Sequence, residues 1–485
     1  MRPLRILLLA AEVAPFAKTG GLADVAAALT RYLAGQGHDV KLLMPFYGSV
    51  QRGRWSPRPH PKLAGMRLGF GSRDYSYSVV TAALPKSSTE VSFLHCPELY
   101  ARDGIYTWDR DEHVRFGLFA RAALEVCQWL QWSPDVIHCN DWHTGLAPLY
   151  LKAAYAWDKL FERTRTVLTI HNIGYQGVFP AETVQELGFG SHAHLLHQGD
   201  LTAGKLNFLK TGVIYADALT TVSETYAREI QTQDFGMGLA ELLRARADAV
   251  VGIVNGVDYT EWDPAHDVQI PQRYSARDLG GKRVCREQLL ARMKLTPSST
   301  APVFGIVSRL TAQKGFELLP EVLPGLLKGD VRLCVLGSGE ERYEQYFHWL
   351  HGANPGKISF WAGYDEELSH WIEAGSDFFL MPSLYEPCGL NQMYSLRYGT
   401  VPIVRKTGGL ADTVEQFDRT MKRGTGFLFE EFSAGALDDA IRSALECYRD
   451  PESWRALQQN GMERDFSWER QGKTYVELYG RLSAR

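Results

Sequence analysis

At 485 residues the chain is too long for one hydrophobic core and fits two domains of ordinary size. Hydrophobic residues at 45% and charged residues at 22% describe a globular chain, neither disordered nor fibrous. A formal charge of −4 with no long Lys/Arg run excludes an obvious nucleic-acid surface, and no apolar stretch reaches the ~20 residues of a membrane helix. The seven cysteines are odd in number, scattered, and never in a C-x-x-C pair. That argues against a disulfide framework or a zinc ribbon and for a reducing compartment.

The N-terminal run ILLLAAEVAPFA superficially imitates a signal peptide, but Glu12 breaks it and a Gly-Gly turn follows. It reads instead as a first buried strand, and a cytoplasmic protein is expected. In chain order the strand candidates are 5–10, 40–44, 91–95, 136–139, 166–170 and 218–222. Helical patterns at 22–36, 114–130 and 224–230 lie between them, with Ser223 placed as an N-cap. Strand–helix alternation implies an α/β fold with parallel sheets. The polar clusters His138–His143 and His171–Tyr175 follow strands, where open α/β sheets bind ligands. The segment Tyr100–His113 reads as a long functional loop.

Around Asn255-Gly256 the pattern changes, and an irregular Pro-containing segment runs to about Pro302. The boundary is placed there, giving domains 1–255 and 256–466, with the helix 467–485 returning to the first. The second half restarts with strands at 303–307, 331–336, 358–361, 378–381, 401–404 and 426–429. Its helical patterns lie at 316–327, 340–350, 368–374 and 434–448. Tyr475, Leu478, Tyr479 and Leu482 recur at helical spacing as one apolar stripe.

One hexapeptide occurs twice. Thr-Gly-Gly-Leu-Ala-Asp follows Lys18 near the N-terminus and Lys406 in the second half, each time between an apolar strand and a helical pattern. Adjacent glycines permit positive φ and close ligand approach, and a helix N-terminus favours an anion. Arg309 and Lys314, after the strand VFGIVS, supply two cations suited to a diphosphate; a solvated turn is the plainer explanation. Glu386, in the stiff Glu-Pro-Cys-Gly turn, can accept hydrogen bonds from sugar hydroxyls or simply complement a helix dipole. Leu336-Gly-Ser-Gly339 lacks the third glycine of a dinucleotide fingerprint, so no nicotinamide cofactor is expected. Asp109-Arg-Asp111 formally matches a metal-binding D-x-D but sits in a polar loop. His138, His143 and His171 lack ligand spacing on one element, so no metal is expected.

The segments KTGGLADV (18–25), NDWH (140–143), TIHNIGYQG (169–177), NGVD (255–258), SRLTAQKG (308–315), EPCGLNQMYSLRYGT (386–400) and TGGLADTV (407–414) together resemble bacterial glycogen synthases and plant starch synthases. The resemblance runs from the first strand to the last helix. It implies two Rossmann-like domains facing across a deep cleft (the GT-B fold), with the C-terminal helix crossing back to the N-terminal domain. It also implies retaining transfer of glucose from ADP-glucose to the non-reducing end of an α-1,4-glucan such as glycogen or a maltooligosaccharide, without cofactor or metal. Lys18, Gly20 and Gly21 would then hold the donor diphosphate from the first domain, and Arg309, Lys314, Thr407 and Gly408 from the second. Glu386, Cys388, Gly389 and Leu390 would cradle the glucosyl ring. Asp141, His171, Asn172 and Asn255 would line the same cleft, and Tyr364 would lie against the base. The segment YTWDRD (106–111) departs from the family's longer Gly-rich loop.

Retention requires a carboxylate nucleophile or front-face transfer within an ion pair. Glu386 fits a hydroxyl acceptor better than a nucleophile, so the front-face route is expected, with the His171 carbonyl facing the oxocarbenium charge. A sucrose- or trehalose-forming transferase and a non-catalytic glucan-binding protein are the rival readings. An acceptor panel and an ADP-glucose titration separate them.

Overall fold

The computed structural model describes residues 2–51, 53, 55–107 and 109–484; Trp108, within the departing 106–111 segment, lies outside the described residues. The chain divides into two compact units. The first comprises Met1–Val222, Ala227–Gly256 and Trp468–Arg485, and the second Ser223–Tyr226 and Val257–Ser467.

The first unit is built on β1 (Arg5–Leu9), β2 (Asp39–Pro45), β3 (Arg73–Ala83), β4 (Glu90–His95), β5 (Val136–Asn140), β6 (Arg165–Ile170), β7 (Ala218–Thr221) and β8 (Val250–Gly252). Their order in a 10-stranded sheet is β8-β7-β6-β5-β1-β2-β4-β3. All pairings from β8 to β4 are parallel, whereas β3 runs antiparallel to β4. Strand β1 is apolar beyond Arg5 because both of its faces are covered: Ile6, Leu7, Leu8 and Leu9 are all buried. Strand β3, which also pairs antiparallel with the segments 58–59 and 66–70, instead alternates in its first half, with Tyr75 and Tyr77 buried between exposed or half-buried neighbours. Helices α1 (Gly21–Gly35) and α2 (Glu112–Leu130) follow β1 and precede β5.

The terminal helix Trp468–Ser483 belongs to this unit. Its predicted stripe of Tyr475, Leu478, Tyr479 and Leu482 is buried, and Gly472 lies against the Tyr32 ring of α1 so closely that a Cβ would stand 2.3 Å from it. The Tyr479 hydroxyl and His138 Nδ1 are 2.7 Å apart, while His138 Nε2 meets Thr169 Oγ1 at 2.5 Å. Burial pushes the His138 imidazole down to about 3, so it is neutral. The sequence placed His138 in a ligand-binding cluster; its ring is instead an internal fastener for the last helix.

The second unit carries an all-parallel sheet of β9 (Val303–Val307), β10 (Arg332–Gly337), β11 (Ile358–Ala362), β12 (Phe378–Met381), β13 (Val401–Arg405) and β14 (Phe427–Phe429). Its order is β11-β10-β9-β12-β13-β14. The segment 256–302, which looked irregular, contains α3 (Gly280–Arg292). Its polar face hid it, but Leu289 and Leu290 are buried in one cluster with Leu368 and Ile372 of α4 (Glu366–Gly375). Two short helices complete the site region, α5 (Asn391–Arg397) and α6 (Gly408–Thr413).

In both sheets the strand order reverses beside the first strand of the unit, between β1 and β5 and between β9 and β12. The carboxyl ends at such a switch point form the crevice where α/β sheets bind ligands.

Candidate functional site

In the first unit the switch point displays Glu12 after β1, Asp141 after β5 and His171 after β6. Asp141 adopts φ 56° and ψ −175°, a region nearly restricted to glycine. That strain aims its buried carboxylate at the next strand end, where Oδ1 accepts the His171 N–H at 2.7 Å. Burial pushes the Asp141 carboxyl up to about 7; the backbone N–H groups of His171 and Asn172 oppose the shift and the charge of Glu12 adds to it. His171 Nε2 lies 2.8 Å from Asn140 Oδ1, and burial drives its ring down to about 3. It is therefore neutral and held by its neighbours. Asn172 closes its own turn by accepting the Gly174 N–H at 2.9 Å. Asn255 is buried, and its Oδ1 has no hydrogen-bond partner.

The first glycine turn is arranged around Glu12. Gly20 is the N-cap of α1 with φ −158°, an extended conformation open to any residue, and Gly21 is the first helical residue. The positive φ that the two glycines permit is not used in this turn. A Cβ on Gly20 would meet nothing within 4 Å. Its N–H donates to Glu12 Oε2 at 3.3 Å, beside the Thr19 N–H, so the chain's own carboxylate takes up the two N–H groups that lead into α1. Lys18 pairs with Asp24 at 2.9 Å.

His143 is buried, stacked 4.0 Å from the Trp142 ring and 4.8 Å from that of Tyr106, and its Nδ1 has no partner. Asp109 and Asp111 both bind Arg102, at 2.8 and 2.5 Å, so the D-x-D carboxylates staple their own loop. Among the described residues no group of three or more His, Cys, Asp or Glu side chains could hold a metal ion.

In the second unit β9 ends at Val307 and delivers Arg309, exposed and with no side-chain hydrogen bond or ion pair among the described residues. Lys314 follows in a short 3-10 turn, and its Nζ lies 2.6 Å from Glu386 Oε2. Gly315, at φ +73°, packs so tightly on the Pro382 carbonyl that only glycine fits. Glu386 is 4% exposed. Ser383 Oγ also donates to Oε2, at 2.9 Å, so both protein donors use one oxygen and leave Oε1 to accept from elsewhere.

The second glycine turn presses directly on that carboxylate's backbone. Gly408 has φ +45°, and a Cβ there would stand 1.9 Å from the Glu386 carbonyl oxygen. The Gly409 N–H donates to the same carbonyl at 3.0 Å, and its own Cβ position lies 2.1 Å from the Cys388 carbonyl oxygen. Thr407 is the buried N-cap residue of α6. Cys388 is buried, Gly389 turns with φ +70°, and Leu390 starts α5. Tyr364, after β11, is 68% exposed, with its hydroxyl 2.9 Å from Glu366.

The structure thus gathers Asp141, His171 and Asn172 at one switch point and Arg309, Lys314, Glu386 and Cys388 at the other. The sequence reading overlooked Glu12 as a site residue. The signal was a carboxylate ending an apolar strand immediately before a glycine turn.

Residues 5–245 match the family model described as starch synthase catalytic domain, and residues 289–464 match glycosyl transferases group 1. The chain is 46% identical to the glycogen synthase of Myxococcus xanthus, covering 99% of this chain and 100% of that one. It is 43% identical to the glycogen synthase of Desulforudis audaxviator, covering 99% and 96%. Among solved structures it is similar to the catalytic domain of starch synthase IV from Arabidopsis thaliana bound to ADP and acarbose. That likeness has a TM-score of 0.93, 32% identity and full coverage of both chains. Sucrose-phosphate synthase from Thermosynechococcus elongatus, at 19% identity and a TM-score of 0.62, shares the fold.

Proposed function

The chain belongs to the glycogen synthase and starch synthase family of glycosyltransferases, and from that premise we propose that it moves glucose from ADP-glucose to the non-reducing end of an α-1,4-glucan with retention. The observation that carries this reading is the Lys314–Glu386 pair, together with the exposed guanidinium of Arg309 that has no partner among the described residues. A diphosphate leaving group gains charge as the glycosidic bond breaks, and fixed cations lower the energy of that state more than of the ground state. Arg309 and Lys314 take this role, with Lys18 adding charge from the first unit and Thr407 and Gly408 shaping the second turn. No metal or cofactor is needed.

Glu386 accepts glucosyl hydroxyls through Oε1, with Cys388, Gly389 and Leu390 shaping the wall around the ring. Asp141, His171, Asn172 and Asn255 form the first unit's share. Neutral His171 presents its backbone carbonyl to the oxocarbenium charge, and a donor phosphate oxygen takes the proton of the acceptor hydroxyl. Tyr364 offers an exposed ring to the adenine. The seven cysteines are all free and buried, in keeping with a reducing compartment, and we place the protein in the cytoplasm.

The test is transfer of labelled glucose to a maltooligosaccharide from ADP-glucose and from UDP-glucose, before and after exhaustive EDTA treatment. We expect transfer from ADP-glucose that survives EDTA. No elongation of the glucan, or a loss restored by Mg²⁺ or Mn²⁺, contradicts the reading.

A further inference from the structure

The repeated hexapeptide ends in aspartate both times, and the two carboxylates meet different partners. Asp24 pairs with Lys18 of its own turn at 2.9 Å. Lys406, the matching lysine of the second copy, pairs with Glu430 at 2.6 Å, and Asp412 binds Thr225. Asp412 Oδ2 accepts the Thr225 N–H at 2.8 Å, and Oδ1 accepts the Thr225 hydroxyl at 2.5 Å.

Thr225 lies in Ser223–Tyr226, which packs with the second unit although Val222 and Ala227 on either side belong to the first. Two residues earlier, the buried Ser223 hydroxyl accepts the Tyr226 N–H at 3.1 Å and donates to the Pro387 carbonyl at 2.7 Å. The first of these bonds is the N-cap expected of Ser223 from the sequence. The second serves no helix and reaches the residue after Glu386.

The segment 223–225 therefore holds two pieces of the site at once. Thr225 grips α6 through Asp412, and Ser223 grips the Glu386–Cys388 turn through Pro387. Those pieces already meet where the Gly409 N–H of α6 donates to the Glu386 carbonyl. The segment closes a ring of hydrogen bonds across that joint, and its two bonds to the Asp412 carboxylate are charge-assisted. Arg309 and Lys314 stand on the turn after β9, outside this ring.

We propose that Ser223, Thr225 and Asp412 are positioning residues, a clip that fixes the backbone of the Glu386–Cys388 turn so that it meets the glucosyl ring in register. This rests on the reading of that turn as the sugar-holding half of the site. Loosening the clip displaces the groups around the sugar and spares the cations that hold the diphosphate.

The test compares Thr225→Val, Asp412→Ala and Asp412→Asn in the full chain. Each is read in kcat from ADP-glucose, in ADP-glucose and ADP affinity by calorimetry, and in amide hydrogen exchange at Gly409. Asp412→Ala should lower kcat roughly ten- to a hundred-fold, the scale of a site group displaced by about 1 Å. It should weaken ADP-glucose binding while ADP affinity stays within about two-fold, because ADP has no glucosyl ring. Thr225→Val, which removes only the hydroxyl, should lower kcat roughly three- to ten-fold. Asp412→Asn, which can still accept the Thr225 N–H, should stay within about two-fold of wild type. Exchange at Gly409 should quicken in Asp412→Ala well below its melting temperature. A folded Asp412→Ala with wild-type kcat, or with ADP and ADP-glucose affinity lost alike, overturns the proposal. If Asp412→Ala fails to fold, Thr225→Val decides alone, and a wild-type kcat there sinks the idea. A wild-type protein without transfer from ADP-glucose overturns the functional reading instead. Exchange at Gly409 then still decides whether the clip holds the turn, and unchanged exchange in every variant refutes it.

Discussion

The two Thr-Gly-Gly-Leu-Ala-Asp turns are identical in letters and different in physics. In the first, Gly20 is extended, its missing Cβ leaves empty space, and its N–H faces a carboxylate of the chain. In the second, Gly408 is left-handed, and both glycines lie against the backbone of Glu386–Cys388 at distances no side chain permits. At Gly20 the first turn has no need of glycine for its own packing. The second keeps it so that the chain can seat its own Glu386. A motif shared between two places therefore fixes local shape, and its role is set by what the surrounding fold brings against it.

The largest effect that would sharpen this contrast is at Gly409. Gly409→Ala forces its Cβ into the Cys388 backbone, which cannot swing aside as a flexible side chain would. We expect a loss of about 3 kcal/mol or more, or roughly 6–12 °C in melting temperature for a unit of this size, read by calorimetry. A stable variant would show that the second turn is not held by close packing.

Next come Lys314 and Glu386, the proposed catalytic pair. Lys314→Ala and Glu386→Ala should each slow transfer roughly a hundred- to a thousand-fold. Because the two side chains are joined at 2.6 Å, the double variant should be little slower than either single. Glu386→Ala should still bind ADP as tightly as the wild type, since ADP has no glucosyl ring. Abolished ADP binding would show that the carboxylate supports the phosphate half of the site as well.

A smaller effect tests the strained aspartate of the first unit through pH. Folding raises the Asp141 carboxyl to about 7, from ~3.9 in an unfolded chain. The folded state therefore holds a proton that the unfolded state has released. Its stabilising effect is full below ~pH 4 and declines as pH rises to 7. Glu12, Tyr106 and His171 are the titratable neighbours, and His171 stays neutral throughout this window. Asp141→Asn, which tolerates positive φ and can still accept the His171 N–H, should melt higher than wild type at pH 8, by up to a few kcal/mol. The difference should vanish near pH 4. A gap that widens toward low pH would reverse the assignment.

Much of this was legible in the chain. The parallel strands announced themselves as short apolar runs, Arg309, Lys314, Asp141 and His171 stood out as polar groups after strands, and Glu386 as a carboxylate in a stiff turn before a helix. Strand β3 was missed because Tyr75, Tyr77 and Val79 alternate with Asp74, Ser76 and Ser78, so no continuous apolar run marks it. Helix α3 was missed because Lys282, Arg283, Arg286 and Glu287 dilute its buried stripe. Glu12 could not be read as a hub, since its partner Tyr106 lies 94 residues away and only the folded sheet brings them together. Nor does any letter separate the two glycine turns. Their difference lies in the strands and loops packed against them.

The smallest structural effect in the comparison also gives its most direct test, the melting temperature and ADP affinity of Gly20→Ala measured together. The added Cβ meets no atom of the chain, and the only cost is a poorer N-cap, so stability should fall by no more than ~1 kcal/mol. If the open side of Gly20 is kept for the donor, ADP affinity should drop at least ten-fold in that same intact protein. Unchanged ADP affinity, or a melting temperature lowered as far as in Gly409→Ala, would contradict the account.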